Sequence, residues 1–204
     1  MTRTGGEERR VQLVREAVRL FGSRGYEGTS LDDIAEAAGI RKQTLLYYFP
    51  SKEALFDACL ETIGGWIAGA LEQALVDEFA EPWDRVERVI HTVFALAEEW
   101  HEFPMFVREA SWRGAGIVTR MAALLDPLRK RALEFLERGM QDGAFRRQDP
   151  TLLLFTLYTA VVGSLTEAGV LRAVGGGAKG IDALKRREKE LLEFVRGALV
   201  PDQR

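Results

Sequence analysis

Apolar residues recur at helical spacing along almost the whole of this chain. Val11, Val14, Val18 and Phe21, for example, follow one another at steps of three and four residues, which places them on one face of an α-helix. No segment shows a convincing alternation of apolar and polar residues, the pattern of a half-buried strand. The sequence therefore predicts an all-α fold.

Glycines, prolines and capping residues divide this pattern into about nine helices. Gly22 and Gly25 are expected to end the first helix, since glycine commonly follows a helix C-terminus. Ser30 is followed three residues later by Asp33, so it should cap the second helix. The eight helices after the first are expected at about residues 30–39, 41–48, 52–75, between Pro82 and Pro104, 105–112, 117–140, 151–173 and 181–199.

The first three predicted helices form a unit of their own. A bracing helix, followed by two short helices with a glycine-containing turn between them, is the pattern of a helix-turn-helix. We therefore expect an N-terminal helix-turn-helix three-helix domain at residues 1–50 and a larger C-terminal helical domain at residues 51–204. The glycine-rich run at residues 175–180 is interpreted as a connector before the last helix.

The second short helix, at residues 41–48, is the part expected to read DNA. With Leu45 turned inward, helical geometry also turns Tyr48 and Phe49 inward. The outward positions are Gln43, Thr44, Leu46 and Tyr47. A major groove accepts such a helix, where Gln43 can pair with adenine and Leu46 can lie on a thymine methyl group.

The local charge supports this interpretation although the total charge does not. The net charge is −3, which alone argues weakly against a nucleic-acid partner. Arg41, Lys42 and Lys52 nevertheless form a cluster with no acidic residue between residues 41 and 52. Such cations neutralise phosphates, and Lys52 would have the N-terminal amides of the next helix beside it. The candidate DNA contacts are Arg41, Lys42, Gln43, Thr44, Leu46, Tyr47, Tyr48 and Lys52.

Three other residues near this surface have simpler explanations. Phe49 is expected in the core, and for Tyr48 the core and a DNA contact are about equally favoured. Arg3 is expected to belong to a solvated tail, with a contact to the minor groove or to a phosphate as the alternative.

The segments GYEGTSLDDIAEAAGI and TLLYYFPSKEALF resemble the DNA-binding region of the TetR family of bacterial transcriptional regulators, over about residues 7–56. Small, apolar and aromatic positions agree with the family pattern in order and spacing across two helices. The rest of the chain resembles the family in helix number, in helix order and in the turn RGMQDGAFRRQDP. The resemblance implies a ligand cavity among the middle helices and a dimer formed by the last two.

The predicted recognition helix departs from the family pattern in three places. Arg41 stands where the family usually has serine, and it cannot accept amide hydrogen bonds as a cap, a loss that typically costs around 1 kcal/mol. Gln43 stands where glycine is usual, and Leu45-Leu46 replaces a leucine-tyrosine pair. The family's usual phosphate contact from a tyrosine is therefore missing, and one of the two tyrosines that follow is the candidate replacement.

Large side chains of the C-terminal domain are the candidates for lining a mainly apolar ligand pocket. These candidate ligand contacts are Trp66, Phe94, Trp100, Phe106, Trp112, Phe155 and Tyr158. The alternative for each of them is an ordinary position in the core.

The last helix carries an apolar stripe for which a small monomer would have no partner stripe left over. Such a stripe favours a two-fold helical interface. Glu167 is either a polar anchor for a ligand or a residue near this interface, and we favour the interface. The candidate dimer residues are Glu167, Leu184, Leu191, Val195 and Leu199. A two-fold dimer suits palindromic DNA with half-sites about 34 Å apart, or a multiple of that distance.

Catalysis and metal binding find little support in the sequence. His91 and His101 should point to different faces of a helix, and a pair such as His91 and Glu98 supplies only two metal ligands. Cys59, the only cysteine, is interpreted as core. The N-terminus lacks the apolar stretch of a signal peptide. We expect a cytoplasmic protein with no enzymatic activity, no metal or cofactor and no membrane partner.

These features together predict a ligand-responsive transcriptional regulator. It would act as a homodimeric repressor that binds palindromic operator DNA and is released by a small, largely apolar effector. The alternative is a helical protein-interaction module with a degenerate helix-turn-helix, which the acidic net charge and the three departures favour. A helical enzyme is the more distant alternative.

Overall fold

The structure of the protein, a computed structural model, describes residues 4–75, 80–175 and 180–201. Within these ranges the chain forms eleven α-helices and no strand, so the all-α prediction is confirmed. The helices are α1 Thr4–Arg24, α2 Leu31–Ala37, α3 Lys42–Tyr48, α4 Lys52–Leu75, α5 Pro82–Glu99, α6 Phe103–Trp112, α7 Ala115–Leu124, α8 Asp126–Gln141, α9 Pro150–Thr166, α10 Ala168–Ala173 and α11 Ile181–Leu199.

Two of the predicted helices are each divided in two. The helix expected at residues 117–140 breaks at Leu125, because Pro127 occupies the first turn of α8 and proline disfavours helical geometry in the residue before it while lacking an amide hydrogen. The helix expected at residues 151–173 breaks at Glu167, whose φ of −94° and ψ of 25° interrupt the regular helix between α9 and α10. The division explains the difference between nine predicted helices and the eleven of the described residues.

The two glycines expected to end the first helix have different roles. Gly25 has a φ of +76° and lies just past the end of α1, where this backbone conformation favours glycine. Gly22 lies inside α1, so the prediction that it ends the helix is wrong. A Cβ atom at Gly22 would lie 2.8 Å from the backbone oxygen of Glu102, so glycine is needed there for the close approach of α6.

The chain divides into two compact units. Unit 1 consists of the described residues up to Trp66 together with Glu102–Leu124, and unit 2 consists of Ile67–His101 and the described residues from Leu125 onward. These units follow packing. They do not test the functional boundary expected at residue 50, which stays a prediction.

In unit 1, α1 packs on α2 and α6, α2 packs on α3, and α6 packs on α7. The core contains rings in contact with one another: Phe56 lies 5.3 Å from Phe21, 5.1 Å from Tyr26 and 5.2 Å from Phe106 between ring centroids. Leu45 of α3 is fully buried. The helices α2 and α3 are too short to be stable in isolation. They are therefore stabilised by packing on the apolar core of unit 1.

In unit 2, α11 packs on α5 and α9, and α8 packs on α9. Leu191, Val195 and Leu199 of α11 are buried in the core of this unit, and Leu184 packs against the same core. The premise that this stripe has no partner within one chain is therefore wrong, because α5 and α9 cover it.

One helical segment of the described chain, Lys52–Gln73 in α4, is long and apolar enough to cross a membrane by length and composition alone. The core helix of a soluble protein passes the same test. Leu55, Phe56 and Cys59 in the first half of this segment are buried in the core, which explains the apolar character of that half.

Candidate nucleic-acid interface

The helix α2 begins with the predicted cap. The Ser30 hydroxyl oxygen accepts a hydrogen bond from the Asp33 amide at 3.1 Å, and the Asp33 carboxylate accepts one from the Ser30 amide at 2.7 Å. The Ser30 hydroxyl also donates to this carboxylate. These hydrogen bonds from Ser30 hold the pKa of Asp33 below its usual value. The reciprocal arrangement is a capping box, which fixes the start of the helix-turn-helix.

The turn between α2 and α3 contains Gly39 with a φ of +66°, a conformation that favours glycine. Arg41 is the N-cap residue of α3 and makes no side-chain capping hydrogen bond, as expected for a side chain without an acceptor. The α3 helix is held instead by the burial of Leu45 and Phe49. Ser51 caps α4 by accepting a hydrogen bond from the Ala54 amide at 3.1 Å.

Three of the four side chains predicted to face outward from α3 are exposed. Gln43 and Thr44 are exposed, and Tyr47 is 84% exposed. Leu46 and Tyr48 are half-buried, and the rings of Tyr47 and Tyr48 meet edge to face at 5.4 Å. A seven-residue helix therefore presents a mixed polar and aromatic surface above an apolar anchor, and the roles predicted for these side chains at DNA stay predictions.

The two lysines of this surface have partners within the protein. Lys42 Nζ lies 2.8 Å from Asp32 Oδ2, so the first residue of α3 is ion-paired with α2. Lys52 Nζ lies 4.0 Å from the centroid of the Tyr26 ring, a cation–π distance. Both lysines can still meet a phosphate, but each must leave or share a contact to do so.

The surroundings of Tyr26 are a feature that the sequence analysis missed. Its hydroxyl donates to Glu53 Oε1 at 2.8 Å, its amide donates to Glu109 Oε1 at 2.8 Å, and the Arg113 guanidinium carbon lies 3.4 Å from its ring centroid. Burial, and then the hydrogen bond to Glu53, raise the pKa of Tyr26 to about 12. The spacing of four between Glu109 in α6 and its C-cap Arg113 places both on one side of the helix, but nothing in the sequence connects them with Tyr26.

The residues predicted to contact a ligand occupy different environments. Phe106 is buried in unit 1, and Phe94 is buried in unit 2. Trp66 and Trp100 are half-buried. The other three are largely exposed: Trp112 at 80%, Phe155 at 62% and Tyr158 at 46%. Such exposure is unusual for the wall of a closed pocket, so for these three a surface role is favoured.

Unit 2 contains a shallow, open depression of about 500 Å³. It is lined by Asp84, Glu87, Arg88, His91, Thr92 and Ala95. None of the predicted ligand contacts is among these residues, five of which have polar or charged side chains.

His91 belongs to an acidic surface cluster of unit 2. Its Nδ1 lies 2.6 Å from Glu188 Oε1, and its Nε2 lies 3.8 Å from Glu87 Oε1. Among the residues that the structure describes, no group of three or more His, Cys, Asp or Glu side chains could hold a metal ion. Cys59 is buried, and burial raises the pKa of its thiol.

Glu167 and Arg3 are the remaining residues singled out from the sequence. Glu167 is exposed at the break between α9 and α10. Arg3 lies outside the described residues.

Comparison with known proteins agrees with this geometry. Residues 13–59 match the family described as bacterial regulatory proteins, tetR family. The chain is 30% identical over 151 residues to the HTH-type transcriptional repressor KstR2 of Mycobacterium tuberculosis, covering 72% of this chain and 74% of that protein. It is 28% identical over 180 residues to the HTH-type transcriptional regulator RutR of Escherichia coli, covering 85% and 84%.

Solved structures share the fold over nearly the whole chain. The ketosteroid transcriptional regulator KstR2 of Mycobacterium tuberculosis superimposes with a TM-score of 0.73 at 24% identity, covering 99% of this chain and 98% of that one. The transcriptional regulator FadR from Bacillus subtilis, solved in complex with stearoyl-CoA, has a TM-score of 0.74 at 19% identity, covering 91% and 96%. The relatives are transcriptional regulators, which favours the regulator hypothesis over the interaction-module alternative. The chain belongs to the TetR family of bacterial regulatory proteins and is a DNA-binding regulator of transcription.

Proposed function

We propose that this regulator is a homodimeric repressor whose two α3 helices enter the major groove at the half-sites of a palindromic operator, and that a small, largely apolar ligand releases it. The observation that carries the proposal is the outward face of α3, where Gln43, Thr44 and Tyr47 are exposed above the buried Leu45. A face of this kind offers hydrogen-bonding groups to base edges and phosphates.

Each exposed side chain of this surface suits one kind of DNA contact. Gln43 is the candidate for an adenine, and Thr44 and Tyr47 have hydroxyls that can donate to phosphate oxygens. Arg41 is exposed, so its guanidinium is available to a guanine or a phosphate. In this proposal residues 1–50 read DNA, and residues 51–204 hold the ligand and form the dimer.

The dimer is proposed to form through the exposed faces of α9 and α11 rather than through the buried stripe of α11. Leu152, Phe155 and Tyr158 are exposed at steps of three residues along α9, and Phe194 of α11 is 67% exposed. Large apolar side chains exposed together mark interaction surfaces, and two-fold symmetry makes such a surface self-complementary. The exposed Glu167 lies at the end of the same helix.

The effector is proposed to be a molecule with a large apolar part. Two proteins with this fold are described as a ketosteroid regulator and as a regulator in complex with stearoyl-CoA. Both descriptions name compounds with large hydrocarbon portions. Such a ligand would act by binding better to a state in which the two recognition helices are wrongly spaced for DNA. A regulator of this kind acts on the chromosome, so we propose that it is cytoplasmic.

The experiment that tests the DNA-binding part is a selection of sites from a random pool of duplex DNA, followed by salt-titrated binding of the enriched duplex. The variant is Gln43→Ala, and the matched control is Gln141→Ala, which removes another exposed glutamine at the end of α8 in unit 2. We expect a palindromic site and a loss of about 1–3 kcal/mol of discrimination at one base pair per half-site in Gln43→Ala.

The control should bind the selected duplex as the wild type does. An equal loss in both variants would mean that the effect is not specific to the position of Gln43 on α3, and it would remove Gln43 as a base reader. Failure of the ligand-free protein to enrich any duplex would contradict the repressor proposal and support the interaction-module alternative.

A further inference from the structure

Two cations that are distant in sequence share one aromatic ring in unit 1. Lys52 Nζ lies 4.0 Å and Arg113 Cζ lies 3.4 Å from the centroid of the Tyr26 ring. Both are within the distance at which a cation is attracted by the π-electrons of a ring. Lys52 is the first residue of α4, whereas Arg113 is the C-cap of α6, so the Tyr26 ring connects the end of one helix to the start of another.

The Tyr26 ring is held on several sides. Glu53 accepts a hydrogen bond from its hydroxyl and Glu109 accepts one from its backbone amide, both at 2.8 Å. Phe21 stacks on the ring at 5.4 Å. Tyr26 is therefore restrained at its hydroxyl, at its ring face and at its backbone, so its ring offers the Lys52 ammonium a fixed position for a cation–π contact.

Arg113 is itself held over the Tyr26 ring. Its guanidinium carbon also lies 5.1 Å from the Phe56 ring centroid, and its Nη1 lies 3.5 Å from Glu27 Oε1. These contacts fix the guanidinium above the turn that leads from α1 into the helix-turn-helix. The Arg113 side chain therefore restrains both the Tyr26 ring and the segment that follows it.

We propose that Arg113 and Glu109 are positioning residues for DNA binding: they hold Tyr26 so that its ring presents the Lys52 ammonium group to a phosphate. The inference rests on the proposed function, because it assumes that Lys52 meets the operator backbone. A lysine already restrained in one conformation loses less side-chain entropy when it binds. Arg113 and Glu109 thus act on DNA affinity through Tyr26, without touching DNA.

The contact between Lys52 and the Tyr26 ring can be observed without DNA. The chain has six lysines, so a protein labelled with ¹³C at the lysine ε-carbon gives a simple NMR spectrum in which Lys52→Arg identifies the Lys52 signal. The ε-protons of Lys52 should be displaced upfield by the Tyr26 ring current. In Arg113→Gln they should move to the position of exposed lysines, and Arg113→Lys should restore part of the displacement.

The matched control is Arg120→Gln in the same unit. Arg120 Nη1 is ion-paired with Asp57 Oδ1 at 2.6 Å, so this variant loses a charge and an ion pair without touching Tyr26, and the Lys52 signal should stay. A Lys52 signal that is not displaced in the wild type, or that stays or moves further upfield in a folded Arg113→Gln protein, would overturn the proposal. If Arg113→Gln does not fold, Glu109→Ala, which removes the acceptor of the Tyr26 amide, decides by the same spectrum, with the same expected shift.

Binding to the selected duplex gives the second measurement. Lys52→Gln and Arg113→Gln should each bind about threefold to tenfold more weakly, with a salt slope smaller by about 0.9, the contribution of one phosphate contact. The double variant should bind no more weakly than Lys52→Gln alone. Additive losses, or a loss with an unchanged salt slope, would overturn the positioning role. If no duplex is bound by the wild type, the proposed function fails, while the NMR comparison still decides whether Arg113 positions Lys52.

Discussion

The helices α3 and α9 expose opposite kinds of surface. On α3 the exposed side chains include Gln43, Thr44 and Tyr47, which can bond to water as well as to DNA. On α9 they include Leu152 and Phe155, at 66% and 62% exposure, which water does not solvate favourably. The face of α3 is therefore stable in a single chain and needs a partner only for function. Exposure of the apolar face of α9 to water is unfavourable, so its burial against another surface would stabilise the protein.

The largest expected effect tests which apolar residues belong to the monomer. Leu199 of α11 and Leu45 of α3 are both fully buried, so Leu199→Ala and Leu45→Ala should each reduce the free energy of unfolding by about 2–5 kcal/mol. Urea denaturation at several protein concentrations measures this. The control Val170→Ala, at an exposed position of α10, should change the free energy by less than about 0.5 kcal/mol.

The dependence of this loss on protein concentration distinguishes a core position of Leu199 from a position at a dimer interface. If Leu199 lay at a dimer interface and not in the core of unit 2, the loss in Leu199→Ala would depend on concentration and would vanish in a monomeric preparation. The loss in Leu45→Ala would remain.

The next effect tests the apolar face of α9. Phe155→Ala should weaken dimerisation about tenfold, which corresponds to about 1.4 kcal/mol, because a large ring at a two-fold interface is removed from both subunits. Sedimentation velocity over a range of concentrations measures the association. Val118→Ala, an exposed apolar residue of α7, is the control and should not change it. Equal association of wild type and Phe155→Ala would remove α9 from the proposed interface.

The helix-turn-helix and the last helix, α11, also differ in how far local rules predict them. The cap at Ser30, the inward turn of Leu45 and Phe49 and the outward turn of Tyr47 follow from spacing within a few residues, and the structure agrees with each. Periodicity predicts the stripe of α11 as one face of a helix, but it does not tell which surface covers that face. The covering helix is decided by packing between residues far apart in sequence.

The contacts around Tyr26 show the same limit within the candidate site. Glu109 binds the Tyr26 amide across 83 residues of sequence, and Arg113 is still further away. A single sequence contains no rule that joins such positions. The break before Pro127, by contrast, follows from proline chemistry and was open to prediction from the sequence.

A smaller effect tests the local control of the helix-turn-helix. Ser30→Ala removes the cap of α2 and should reduce the free energy of unfolding at pH 7 by about 1 kcal/mol. In the wild type the pKa of Asp33 is lowered by its hydrogen bonds with Ser30. The stabilisation that comes from the ionised carboxylate is therefore present above the usual pKa of an aspartate and is lost as the pH falls through the lower folded value. The difference between wild type and Ser30→Ala should therefore shrink in acid.

Chemical denaturation between pH 7 and pH 3 measures this difference. A constant difference across that range would show that the Asp33 carboxylate takes no part in the cap. The exposed Ser30 hydroxyl would then act only on the backbone amide.

The smallest effect concerns the ion pair between α2 and α3. Lys42 and Asp32 are both exposed, at 45% and 67% of their side chains, so Asp32→Asn should change the free energy of unfolding by less than about 1 kcal/mol. Its effect on DNA binding should be favourable, because the substitution frees the Lys42 ammonium and removes a carboxylate that repels phosphates. Asp32→Asn should bind the selected duplex more tightly, with a salt slope steeper by up to about 0.9. Weaker binding would mean that Asp32 holds Lys42 in its DNA-binding position, which would make this pair a second case of a lysine positioned by its neighbour, beside Lys52 and Tyr26.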